Sequence, residues 1–135
     1  MRVWELLVVG RRREPARQMV ATMLGVTVVT TGLLVGAQTV SGPWIGVGGF
    51  LLLAVMTVAL LGGAYHAFTN AGVVASCLPV TGVVVGVGLA RTVMHWVGWT
   101  TPNRGLRTED VAVVLLAVAV VTTVGATVVG VVWRR

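Results

Sequence analysis

The chain has 135 residues, of which 56% are hydrophobic and 10% charged, with a mean hydropathy of +0.95. A soluble domain carries roughly 25% charged residues, so this composition excludes an ordinary water-soluble fold and indicates a membrane protein. The net charge of +6 comes from arginines beside apolar runs. The sequence has no basic stretch interspersed with aromatic residues that could stack on bases, which argues against nucleic-acid binding.

The N-terminal segment, residues 1–18, is predicted to be a basic segment on the cytoplasmic side of the membrane. Residues 1–10 are too short to span a bilayer, and their apolar side chains surround Trp4. An amphipathic helix lying at the membrane interface fits this pattern. We expect Pro15 to separate this piece from the first span.

Four long apolar runs follow, and they predict an all-α integral membrane protein built as a four-transmembrane-helix bundle. Each run approaches the ~20 residues that a membrane-spanning helix needs. Valine and threonine favour strands in water, but these runs are continuous and about twice the length of a barrel strand. The predicted membrane domain covers residues 19–133, with spans at about 19–40, 44–64, 71–90 (extending as far as 97) and 111–132.

The segments between these runs have the composition of short loops. Ser41, Gly42 and Pro43 predict a tight turn, residues 65–70 a second loop, and residues 101–105 a third. Thr108 is expected to cap the fourth span. Tryptophans fall near the predicted span ends, where indole rings favour the membrane interface: Trp44, Trp96, Trp99 and Trp133.

The arginine distribution predicts that both chain ends lie in the cytoplasm. With four spans, seven arginines fall on the side of the termini and three on the other side, and basic residues favour the cytoplasmic face of the plasma membrane. Six of the seven are assigned to topology and to contact with anionic lipid head groups: Arg11, Arg12, Arg13, Arg17, Arg134 and Arg135. The alternative, a cleaved signal peptide ending near residue 37, fits less well because the first apolar run is too long.

Two features of the spans are candidates for function. Small residues recur four apart, a spacing that lets membrane helices approach closely: Ala21/Gly25, Gly32/Gly36, Gly82/Gly86/Ala90 and Ala126/Gly130. Pro79 interrupts the third span, and with Ser76 and Thr81 it forms a candidate polar spot within the membrane.

The sequence contains no pattern typical of a metal, cofactor or catalytic site. His66 and His95 stand apart from ligand-spaced partners, and each is expected to be a wet residue at the membrane interface. Glu109 and Asp110 are adjacent at a helix start, where carboxylates favour the positive end of the helix dipole. The protein is therefore not expected to be an enzyme, and no cofactor is implied.

Three functional hypotheses follow. The first is a non-catalytic subunit, assembly factor or structural component of a membrane complex or envelope. The second is a self-associating, holin-like pore, and the third a small transporter using the region of Pro79. The expected partners are the lipid bilayer, with anionic head groups near the N-terminal arginines, and either another membrane protein or a second copy of the chain.

Overall fold

A computed structural model of the protein describes residues 2–39, 44–98 and 108–134. These residues form helices and no strand: α1 (Val3–Val8), α2 (Arg13–Thr39), α3 (Trp44–Asn70), α4 (Val73–Trp96) and α5 (Thr108–Trp133). The helices α2 to α5 are long and apolar enough to cross a membrane. The prediction of an all-helical protein with four candidate spans is confirmed.

Threonine fits these apolar helices because its hydroxyl bonds back to the preceding turn. The Thr57 hydroxyl donates to the Leu53 carbonyl at 2.9 Å, and the Thr122 hydroxyl to the Val118 carbonyl at 2.7 Å. Because the hydroxyl is hydrogen-bonded within its own helix, much of the free-energy cost of placing it in lipid is removed. The threonine-rich runs therefore remain helical despite their strand propensity.

Helix α3 continues to Asn70, whereas the sequence placed residues 65–70 in a loop. Tyr65 and His66 are helical, and the connection to α4 is reduced to Ala71 and Gly72. Ala71 adopts a positive φ of 62° at this turn. The extension is stabilised by contacts of buried side chains at the end of α3, which local hydropathy does not register.

The first span begins earlier than predicted, and Pro15 does not interrupt it. Pro15 is the third residue of α2, where a missing backbone N–H costs no intrahelical hydrogen bond. The break between α1 and α2 lies instead at residues 9–12, which we call the α1–α2 linker. Gly10 in this linker has a φ of +89°, a conformation that favours glycine.

Helix α4 is the centre of the bundle. It packs against α2, α3 and α5, and α3 also packs against both α2 and α5. Among the described residues, no Cα of α2 lies within 8 Å of a Cα of α5. Nine residues of α4 are buried, whereas α2 buries only Thr30. The apolar core joins Ala59 of α3, Val80 and Val83 of α4, and Ala119 of α5.

The start of α2, the turn between α3 and α4, and the end of α5 lie at the same end of the bundle. Arg11 and Arg12 contact Asn70 there, and Arg134 contacts Phe68. We call this the arginine end. The arginines from the two chain ends therefore share one side of the bundle, as the four-span topology requires.

Several predicted features lie outside the described residues. They are the turn at 41–43, the loop at 101–105, Trp99, Arg135, and the side chains of Trp44, Thr108 and Glu109. Asp110 is exposed at the start of α5. Trp96 and Trp133, near opposite ends of the bundle, are 85% and 81% exposed.

Candidate functional site

A buried polar cluster lies at the arginine end, formed by His66, Asn70 and Ser76. Their exposed fractions are 3%, 3% and 0%. His66 and Asn70 are four residues apart on α3 and therefore share one helix face, while Ser76 lies in the first turn of α4. His66 Nδ1 is 2.8 Å from Ser76 Oγ. The cluster thus joins the end of α3 to the start of α4.

The hydrogen bonds within the cluster form a directed chain. The Asn70 amide nitrogen can only donate, and it lies 3.2 Å from His66 Nε2, so Nε2 accepts at this contact and shares the two Nδ2 protons with the Val9 and Arg12 carbonyls. Nδ1 then carries the proton and donates to Ser76 Oγ, and the Ser76 hydroxyl donates to the Gly72 carbonyl at 2.6 Å. This arrangement requires a neutral imidazole at His66. The expectation of a wet interfacial His66 is wrong, since its ring is buried and hydrogen-bonded on both nitrogens.

Asn70 also binds the α1–α2 linker. Its side-chain Oδ1 accepts the Arg12 backbone N–H at 2.7 Å, and its Nδ2 donates to the Val9 and Arg12 carbonyls at 3.1 and 3.0 Å. The Asn70 backbone carbonyl accepts the Arg11 N–H at 2.8 Å. One residue therefore satisfies several linker groups that precede the first turn of α2.

Glycines allow the linker to approach the turn between α3 and α4. A Cβ added at Gly72 would lie 2.7 Å from the Val9 carbonyl oxygen, and one at Gly10 would lie 2.5 Å from Asn70. Both separations are shorter than ordinary van der Waals contact. The close approach of backbone to backbone requires glycine at each position.

The predicted polar spot around Pro79 is divided by the structure. Ser76 belongs to the buried cluster, and Pro79 is fully buried on α4. The Thr81 hydroxyl instead donates to the Cys77 carbonyl of its own helix at 3.0 Å. The structure therefore brings Ser76 together with His66 and Asn70, not with Thr81.

The arginines assigned to topology fall into two groups. A cleft of about 340 Å³ is lined by Arg11, Arg12, Pro15, Thr69, Asn70 and Arg134, and we call it the arginine cleft. A second depression of about 570 Å³ lies between α1 and α2, where Arg13 and Arg17 share the lining with Glu5 and Glu14. Among the described residues, carboxylates line the second depression but not the arginine cleft.

The seam between α2 and α4 uses the small-residue pattern of the third span. The Thr27 and Thr31 hydroxyls each donate to a carbonyl of their own helix at 2.8 Å. Each shares its proton with a carbonyl of α4, that of Gly82 at 3.1 Å or that of Gly86 at 3.2 Å. A Cβ at Gly82 would lie 2.6 Å from the Met23 carbonyl oxygen. The spacing Gly82/Gly86/Ala90 thus packs two helices of the same chain.

The small residues of α2 have a different environment. A Cβ at Gly25, Gly32 or Gly36 would meet nothing within 4 Å. Gly25 instead lines an apolar groove of about 540 Å³ between α2 and α3, together with residues such as Val29 and Leu51. Within the part of the chain that the structure describes, these glycines are therefore not used for close helix packing.

Comparison with known protein families, curated proteins and solved structures finds no match to this chain. Among the described residues, no group of three or more His, Cys, Asp or Glu side chains is placed to hold a metal ion. The hydropathy pattern does not indicate the buried cluster, because it predicts a loop over residues 65–70. The four-residue spacing of His66 and Asn70 indicates a shared helix face, but only if α3 continues through both residues.

Proposed function

We propose that the protein is a non-catalytic component of a membrane complex or envelope that acts through its surfaces. The observation that carries this proposal is the use of the buried cluster to join helices. The hydroxyl of Ser76 and both ring nitrogens of His66 are engaged with neighbouring elements. Polar groups that are buried and hydrogen-bonded in this way stabilise the bundle, and they are not exposed to a substrate.

The outward face of α2 supports a role in assembly. Gly25 and Gly32 are exposed and have room around them, and small residues permit close contact between membrane helices. The neighbouring groove between α2 and α3 is lined almost entirely by apolar side chains. A transmembrane helix of a partner protein, without charged residues at the contact, is the occupant with matching chemistry.

The mass of the intact complex tests this proposal. The tagged protein is extracted from its native membrane in mild detergent and weighed by native mass spectrometry. We expect a heteromeric complex that is lost in Gly25→Leu and kept in Gly125→Leu, a matched variant at an open position of α5. A monomer in the wild-type extract, or equal loss in both variants, would contradict the assembly role.

A self-associating pore is the second candidate, because the same open glycines of α2 suit contact between identical chains. It requires a discrete homo-oligomer in the same measurement and leakage of small solutes from reconstituted liposomes. If the homo-oligomer forms, Gly25→Leu should abolish both the oligomer and the leakage. A homo-oligomer without leakage would leave a structural envelope role as the explanation.

We also propose that the arginine end faces the cytoplasm of a cell whose plasma membrane holds the four spans. Arg12 contacts Asn70 and Arg134 contacts Phe68 at this end, which supports the assignment because basic flanks are retained in the cytoplasm. Fusions of a fluorescent protein and of a periplasmic phosphatase to the C-terminus provide the test. An active phosphatase fusion together with a non-fluorescent fluorescent-protein fusion would show that the C-terminus lies outside the cytoplasm, which would contradict the proposed orientation.

A further inference from the structure

We propose that the arginine cleft binds the phosphate group of an anionic phospholipid. The cleft brings together Arg11 and Arg12 from the beginning of the chain and Arg134 from its end. Among the described residues, no carboxylate lines this cleft, whereas three arginines do. Such a concentration of positive charge attracts an anion.

Contacts within the fold hold the backbone of Arg11 and Arg12 and the guanidinium of Arg134. The backbone of Arg11 and Arg12 is held by Asn70 through three hydrogen bonds of 2.7 to 3.0 Å. The Arg134 guanidinium donates to the Phe68 carbonyl and lies over the Phe68 ring, 5.8 Å from its centroid. Anchoring the arginines before the ligand arrives reduces the entropy that binding must overcome.

Phosphate fits the donor chemistry of the cleft. A guanidinium presents five N–H donors in a planar fork that matches phosphate oxygens. The hydrogen bond to Phe68 uses one of these donors on Arg134, which leaves further donors for a ligand.

The location favours a lipid source for this phosphate. The cleft lies beside the first turn of α2 and the last turns of α3 and α5, and span ends are expected at the level of the head groups. Pro15 contributes an apolar wall. The proposal is independent of which protein partner the outer face of α2 binds.

Lipid retention in native mass spectrometry tests the proposal. The purified protein is titrated with phosphatidylglycerol and, separately, with phosphatidylcholine, and dissociation constants are compared for wild type and variants. We expect one phosphatidylglycerol to bind preferentially and the R11Q/R12Q variant to weaken it by about tenfold or more, given about fivefold for each surface arginine. The hydrogen bonds to Asn70 use backbone atoms of Arg11 and Arg12, so these substitutions should leave the fold intact.

The R13Q/R17Q variant is the matched control, because it removes the same charge from the depression that contains Glu5 and Glu14. We expect it to change affinity by less than about threefold, since the cleft arginines remain. Equal weakening by both pairs, or equal binding of the two lipids by wild type, would overturn the proposal. A titration with inorganic phosphate at constant ionic strength distinguishes a free anion from a lipid. If inorganic phosphate binds as tightly as phosphatidylglycerol, the cleft is a site for free anions and not for a lipid.

Discussion

Asn70 and Arg12 pair through two hydrogen bonds although they are 58 residues apart in the sequence. The Asn70 side-chain oxygen accepts the Arg12 N–H at 2.7 Å, and its amide nitrogen donates to the Arg12 carbonyl at 3.0 Å. A carboxamide resembles a peptide group, so it satisfies both backbone groups of one residue. The pairing fixes the start of α2 against the turn between α3 and α4.

Removing the Asn70 side chain should therefore destabilise the arginine end. We expect Asn70→Ala to lower the free energy of unfolding by about 2–3 kcal/mol, because several linker groups lose their hydrogen-bond partners. Thermal unfolding in mild detergent, followed by circular dichroism, provides the measurement. Thr69→Ala is the control, since the exposed Thr69 hydroxyl bonds only to carbonyls of its own helix, and an equal loss there would refute the role of Asn70.

The tautomer of His66 is a second expected outcome. The geometry favours a proton on Nδ1 and a bare Nε2. The Ser76 hydroxyl donates its single proton to the Gly72 carbonyl and so accepts from Nδ1, while Nε2 lies 3.2 Å from the amide nitrogen of Asn70. Nitrogen-15 NMR of the labelled imidazole at neutral pH should show this neutral form. His95, exposed at the opposite end of the bundle, supplies the comparison signal. A doubly protonated ring at His66 would show that the hydrogen-bond chain is wrongly assigned.

The seam between α2 and α4 allows threonine hydroxyls in two settings to be compared. Thr27 and Thr31 bond across to α4, whereas Thr30 Oγ1 is buried without a partner among the described residues. We expect Thr27→Val and Thr31→Val each to lower stability by about 0.5–1 kcal/mol. Thr30→Val should be neutral or stabilising, because it removes an unsatisfied polar group. The same unfolding assay applies, and a destabilised Thr30→Val would reveal a partner for that hydroxyl.

Glycines on the two sides of α2 should respond differently to substitution. Gly86→Ala would place a Cβ 2.7 Å from Thr30 Cβ and 2.9 Å from the Thr27 carbonyl oxygen. We expect it to cost about 1–3 kcal/mol through overpacking. Gly25→Ala, with nothing within 4 Å of the new Cβ, should change the stability of the isolated protein by less than about 0.5 kcal/mol. If both variants unfold alike, α4 does not pack on α2 through Gly86.

Hydropathy and length were sufficient to predict the number and type of the long helices. A span must satisfy its own backbone in lipid, so a continuous apolar run of adequate length folds as a helix whatever its neighbours are. The close packing of Gly82, Gly86 and Ala90 was also visible as a spacing. The spacing did not show that α2 is the helix that packs there, because a spacing carries no information about the partner helix.

The buried cluster and the arginine cleft depended on tertiary structure. His66 and Asn70 share a face only because α3 continues to Asn70, and that extension is stabilised by the linker and by Ser76, not by local hydropathy. Arg134 and Arg12 line the same cleft only because the fourth span returns to the end of the bundle where the first span begins. Hydropathy is a local property of the chain, whereas the pairing of distant polar groups is set by helix phase and by how the helices pack.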